Sequence, residues 1–201
     1  MRITRILVTS AVSALIATTA LALDTYKADP AHSSVNFTVD HMVVNTVHGR
    51  FRQFEGTITV DPDNGNALKA SSGTIQAKSV DTDIERRDDH LRSHDFFDAE
   101  KFPTITFEST EVKKDGNGLV LIGKFTMHGV TKDVSLPCTL KGPIKSPMGG
   151  TIFGLEVNAK INRKDYGLTW NKALEAGGLM VGDDVTIQIN AEFVKKAAEK
   201  N

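Results

Sequence analysis

Six histidines, one cysteine and one dense run of charge are the residues of this chain with chemical potential. The histidines are His32, His41, His48, His90, His94 and His128. His90 and His94 are four apart, which would put two imidazoles on one face of a helix, but two ligands alone do not make a zinc site. Cys-x-x-Cys and His-Glu-x-x-His are absent, as are Gly-x-Ser-x-Gly and a glycine-rich phosphate loop ending in Lys-Ser/Thr. His32 and Ser33 are neighbours, and a strand points neighbours to opposite faces, so they cannot pair as base and nucleophile. Cys138 falls in the alternating row Val134, Leu136, Cys138, Leu140 and reads as a buried small hydrophobe. No constellation requires catalysis.

The charged run lies in Ser79 to Thr110, where the chemistry and the architecture part company. Thr82 followed by Glu85 is a capping-box signature and predicts a short helix. Arg86, Arg87, Asp88, Asp89, His90 and Arg92 follow within about three turns. Leu91, Phe96 and Phe97 are the apolar residues able to dock this segment, which we read as a lid-like connection across one end of a β structure. Arg87 and Asp88 read as a pair that pins loops.

The elements that must carry such a lid are strands. Val35, Phe37 and Val39 alternate with polar residues, as do Ile58 and Val60, then Ile75 and Ala77, then Ile105 and Phe107. Asp115-Gly116-Asn117-Gly118 is a turn from which Leu119 to Met127 returns, and His128-Gly129 turns again. Pro143 to Gly150 predicts another break. Phe153, Leu155, Val157, Ala159 and Ile161 form the cleanest alternation, and Val185, Ile187, Ile189, Ala191 and Phe193 the last row. Eight or nine strands joined by short turns make an antiparallel sheet with one dry face. Closing it removes its edges. Eight strands enclose just enough room to be filled by side chains or to hold one small ligand. Periodicity does not choose between these, nor between barrel and sandwich.

Residues 1–22 read as a cleaved signal peptide. Arg2 and Arg5 are followed by an uncharged, small and apolar stretch, and Ala20-Leu21-Ala22 satisfies the small-x-small cleavage rule. The domain is then 23–201. Without the two leader arginines it carries 22 basic and 25 acidic residues, which offers no support for nucleic-acid binding. One cysteine permits no intramolecular disulfide. Together these suit a bacterial periplasm.

Several segments in order carry a resemblance. They are Asp29-Pro30-Ala31-His32-Ser33 with Phe37 and His41, His48-Gly49-Arg50-Phe51 before Phe54-Glu55-Gly56, and Arg87-Asp88-Asp89-His90-Leu91-Arg92-Ser93 with Phe96-Phe97-Asp98. Phe102-Pro103-Thr104-Ile105-Thr106-Phe107, Gly129-Val130-Thr131-Lys132 and Asn162-Arg163-Lys164-Asp165-Tyr166-Gly167-Leu168 with Trp170 complete the series. In this order the chain resembles the YceI family of periplasmic, lipocalin-like proteins that bind polyisoprenoids and related amphiphiles. The resemblance spans residues 23–201.

It implies an all-β fold, a single extended antiparallel eight-stranded lipocalin-like barrel with the short helical lid-like connection. The pore candidates are Val35, Phe37, Val39, Phe107, Phe125, Phe153, Leu155, Val157, Ile187 and Ile189. The mouth candidates, suited to a phosphate or carbonyl head group, are His41, Arg50, Arg92, Arg163 and Trp170. The implied function is holding a long-chain isoprenoid lipid, a polyprenyl phosphate or quinone-like molecule, for transport, storage or stress response. The ligand is that lipid, with no cofactor, no metal and no catalytic residue. Transient contact with a membrane or membrane protein is compatible with this, and a homodimer is left open. The alternative is a lipid-modifying enzyme using His90 or His41. Expressed with its leader in a bacterium, the protein should be recovered from the periplasm beginning at Leu23 or within a few residues, by N-terminal sequencing. An intact Met1 on the exported protein would remove the assignment.

Overall fold

The structure is a computed structural model and describes residues 23–147, 149–175 and 177–195. The leader lies outside the described residues. Eleven strands, β1 (Asp24–Ala28), β2 (Ser34–His41), β3 (Asn45–Phe51), β4 (Phe54–Asp61), β5 (Ala67–Gln76), β6 (Val80–Asp81), β7 (Thr104–Asp115), β8 (Gly118–Met127), β9 (Val130–Lys145), β10 (Thr151–Asn162) and β11 (Val181–Lys195), form one antiparallel sheet. The helix α1 (Glu85–Arg92) sits between β6 and β7. Six of the strands are halves of three bent ones. A turn at Pro30–His32, capped by Asp29, separates β1 from β2; Arg52 and Gln53 separate β3 from β4; a turn at Ala77–Ser79 separates β5 from β6. β11 pairs with β2 over one stretch and with β1 over another, while β1 also pairs with β4. Eight strands therefore close into a barrel, as the resemblance implies, which settles the choice between barrel and sandwich that the alternation leaves open.

Turn chemistry accounts for most corners. Asp115 pairs with Gly118 across Gly116, which takes φ of +55°, and Met127 pairs with Val130 across the left-handed His128 and Gly129. The break expected from Pro143 to Gly150 is narrower than its composition suggests. β9 runs on to Lys145, and the ladder to β10 slips register between Ile152 and Gly154, where a proline's missing N–H is tolerated.

The helix is where the charge run predicts it, but its cap is different. Ile84 occupies the cap position and makes no side-chain capping bond. The Thr82 hydroxyl and amide instead donate to the buried Asp88 carboxylate at 2.5 and 2.9 Å. Arg87 donates to the Thr82 hydroxyl and carbonyl at 2.7 and 2.8 Å. A carboxylate inside the helix outcompetes Glu85 because its two bonds replace water on a buried charge. Arg87 and Asp88 do pin a loop, by meeting at Thr82 rather than at each other.

The barrel interior is divided along its axis. Tyr26, Ile58, Val60, Leu68, Leu121 and Phe153 pack into a cluster with Cys138, and burial pushes the Cys138 thiol up to about 11. Tyr26 meets Phe153 edge-on at 4.9 Å. A second cluster, with Val35, Phe51, Val80, Phe97 and Ile105, lies toward α1. Ile58→Ala, in the fully buried part of the first cluster, should lower the unfolding free energy by about 2–5 kcal/mol in denaturant titration. A loss below about 1 kcal/mol would mean this end is not close-packed.

Candidate ligand-binding pore and its lid

A cavity of about 200 Å³ runs inside the barrel, and its walls are almost wholly apolar side chains. Nine of the ten expected pore residues line it: Val35, Phe37, Val39, Phe107, Phe125, Leu155, Val157, Ile187 and Ile189. Phe153 does not; it is part of the packed end, against Tyr26. Leu121, Leu136, Leu155 and Phe193 belong both to the cavity wall and to that packed cluster. The pore is therefore blind at the end where Ile58 and Val60 are fully buried.

Residues that alternation could not reveal make the room. Gly56 and Gly73 face each other across β4 and β5, and Gly73 pairs with Phe107 on its other side. Both glycines line the cavity, as do Ala28 and Ala191. A Cβ on Gly73 would meet only the Glu55 carbonyl oxygen, at 3.6 Å, so the space beside it is open. Gly49 serves differently. The Phe37 ring lies over it so closely that a Cβ would stand 2.2 Å from Phe37 Cζ, and this lets Phe37 turn toward Phe51, 5.6 Å away between centroids.

The other end is covered by α1 and the segment that follows it. Leu91, Phe96 and Phe97 line the cavity, and Phe97 packs edge-on against Phe51 at 5.7 Å. Arg92 donates to the carbonyls of Lys78 and Val80 and to Asp89. Arg50 and Arg52 both reach Asp81. The Asp83 amide and Arg52, then Arg50, hold the Asp81 carboxyl down at about 2. Arg50 also reaches Asp83 at 2.8 Å, so the start of the lid is tied to β3. His90 Nε2 lies 2.9 Å from Asp95, and its ring meets Phe96 and Trp170 edge-on at 5.0 and 4.8 Å. Trp170 thereby joins the lid to the loop between β10 and β11. The helix ends at Arg92, so His94 does not share a helix face with His90.

Arg163 lines the cavity and is buried, but four of its five N–H groups already donate to backbone carbonyls. It donates to the carbonyls of Gly182, Leu168, Trp170 and Val181, and its Nη2 faces Asp183 at 3.6 Å. Burial lowers its pKa, and Asp183 opposes that. His41 pairs with Val181 at the rim, one step beyond the cavity-lining Val39 on the same face of β2. Neither His41 nor His90 is among the cavity-lining residues. Asp29, His32 and Glu192 offer metal-ligand types within 4.8 Å of one another, but they lie at the β1–β2 turn, off the cavity wall, and His32 is bonded to Asp29 at 2.8 Å.

A family model described as YceI-like domain matches residues 26–193. The chain belongs to the YceI-like family. UPF0312 protein SA2479 of Staphylococcus aureus (strain N315) is 39% identical over 166 residues, covering 82% of this chain and 94% of that protein. The crystal structure of the Campylobacter jejuni YCEI protein is 31% identical, with a TM-score of 0.67 over 79% of this chain and 90% of that one. Burkholderia cenocepacia BcnA, 23% identical, shares the fold with a TM-score of 0.70 over 82% and 98% of the two chains. A polyisoprenoid binding domain from Saccharophagus degradans, 19% identical, does so at 0.58 over 85% and 98%.

The arginine clasp makes a prediction. Arg163→Ala leaves up to four carbonyls without their donor, each costing about 1–3 kcal/mol if it stays buried and dry. Thermal melting should drop clearly, and affinity for phosphorylated and neutral prenyl compounds should fall together. A loss confined to the phosphorylated ligand would instead give Arg163 a direct head-group contact.

Proposed function

We propose that the barrel holds one long-chain isoprenoid lipid, tail first and chemically unchanged, with its head group at the lid end. The observation that carries this is the blind apolar pore, widened by Gly56 and Gly73 where a packed core would place side chains. A prenyl tail is apolar along its length, and its burial is favourable by roughly 25 cal/mol per Å² before the costs of association. Such a ligand asks for an apolar tube and a polar rim, and little else. The likeness to a polyisoprenoid binding domain supports the same class of ligand.

The pore residues take the tail, and Phe153 contributes by backing the plug. At the rim, His41, Trp170, Arg50 and Arg92 surround the head group. Arg163 acts through the loop it clasps, since four of its five N–H groups already bond backbone carbonyls. A polyprenyl phosphate or a quinone-like lipid fits this frame, and the reading of residues 1–22 as a signal peptide supports carriage, storage or a stress response in the periplasm. No cofactor takes part. Binding rather than turnover is the reading supported by the YceI-like family match and the likeness to a polyisoprenoid binding domain.

Native mass spectrometry of the protein from its own cells, followed by lipid extraction, tests this. One unmodified prenyl lipid per barrel is expected. A recovered lipid that is processed, with processing stopped by His90→Ala, would make the protein an enzyme. Pore variants give an independent check. Gly73→Leu should melt close to wild type when free of lipid, because its side chain enters open space, and Val157→Phe, at a wall position shared with the packed cluster, should cost less than overpacking a filled core would. Both should bind long prenyl chains at least tenfold more weakly while short chains lose less. The stabilisation by saturating lipid, RT ln(1 + [L]/Kd), should shrink accordingly. An apo protein destabilised by 1–3 kcal/mol, the cost of overpacking, with lipid affinity unchanged, would show a filled core instead.

A further inference from the structure

The turn that joins β2 to β3 is built from the wrong residues for its shape. Met42 and Val43 take φ of +53° and +65°, and the Val44 amide donates to the His41 carbonyl at 3.3 Å. The ladder closes on His41 and Asn45, so the loop has three residues, and the two consecutive left-handed ones within its i to i+3 turn follow the type I′ pattern, for which Asn-Gly is preferred. A β-branched residue at positive φ is a true outlier, so Val43 is strained. The same residues are exposed: Met42 by 37%, Val43 by 77% and Val44 by 87%. Leu179, exposed by 40%, extends the patch, and its neighbour Gly178 lies against Val43. Local conformation and solvation both disfavour this sequence here, and the β10–β11 loop meets the tip only from one side, at Gly178 and through the Met180 carbonyl that accepts from the Met42 amide at 2.8 Å, leaving Val43 and Val44 largely exposed.

We propose that this hairpin tip is the element that enters the surface of a lipid bilayer when the protein collects or delivers its ligand. The inference rests on the reading that the pore takes a lipid. Three observations select a bilayer as the occupant. The tip is continuous with the pore: Val39, three residues before Met42, and Val181, paired with His41, both line the cavity, and α1 covers that same end. From His41 to Gly49 the chain has no Lys, Arg, Asp or Glu, so nothing charged has to leave water as the tip enters hydrocarbon. The tip is a short three-residue hairpin turn rather than a groove, a shape that suits a fluid medium without a fixed socket. Entry there would bring the mouth to the depth at which a prenyl tail leaves the membrane.

The geometry supplies its own test. Met42→Asn with Val43→Gly installs the residues that a type I′ turn prefers, so the double variant should melt no lower than wild type. Protein beginning at Leu23, which contains every strand of the barrel, is sedimented with phosphatidylcholine vesicles, with and without phosphatidylglycerol. Wild type should bind both alike, with little response to salt, and the double variant at least tenfold less. Val44→Thr, a nearly isosteric change, should weaken binding in the same direction. Uptake of a prenyl alcohol from vesicles should slow with the loss of binding, while loading from detergent solution stays at the wild-type level. The proposal is overturned if the variant binds vesicles as wild type does, or if wild type binds only anionic vesicles and releases in salt. It is also overturned if the variant's only effect is to turn a dimer into monomers, since the tip would then join copies of the chain. Should neither protein load from detergent, the pore reading fails, and the vesicle arm still decides the role of the tip.

Discussion

An eight-stranded barrel encloses only as much space as its inward side chains leave, and this one is filled from one end only. Ile58, Val60, Tyr26 and Phe153 close-pack across the far end, which gives the closed sheet a core. Toward the lid, Gly56 and Gly73 replace inward side chains on adjacent strands, and the aromatic rings of Phe107 and Phe125 on the next two strands are left facing open room. The packed end stabilises the open end. A barrel that was hollow throughout would lose too much buried apolar contact, and one packed throughout would have no pore.

The open end creates a second need, because a cavity that reaches the rim must be covered. The cover is not a strand but the insertion between β6 and β7. Its apolar residues, Leu91, Phe96 and Phe97, face the cavity, while its charges are used to fasten it. Asp88 and Arg87 close on Thr82, Arg92 reaches the carbonyls of Lys78 and Val80, and Arg50 holds Asp81 and Asp83. Arg163 fixes the opposite loop, and Trp170 on that loop meets His90 and Phe96 on the lid. Much of the charge in this region is thus structural.

Much of this is legible in the sequence, for identifiable reasons. Alternation with period two marks inward residues, so nine of the ten expected pore positions fall on the cavity wall. Phe153 has the same parity as Leu155 and Val157, and only position along the axis puts it in the plug, a coordinate that periodicity does not carry. The glycines that open the pore are silent in a hydrophobic pattern, although Gly56 and Gly73 interrupting inward rows is a usable signal. Thr82 and Glu85 mark a helix start correctly, yet the local motif could not foresee Asp88 as the stronger partner. The sequence does not reveal Arg92 and Arg163 as clasps, because most of their partners are carbonyls, which every residue has. The strained Met42-Val43 turn is hidden for a related reason: a strand pair around it is predictable, but the type of turn follows from the register.

The central claim is that a lipid tail lies along the pore with its end against the plug. Photo-crosslinking with a prenyl lipid carrying a diazirine at the tail end, followed by mapping of the labelled peptides, reads that depth directly. The account predicts labels on Leu121, Leu136 and Phe193, where the wall meets the packed cluster. Labels confined to the lid residues Leu91, Phe96 and Phe97, or spread over the outer surface, would contradict it.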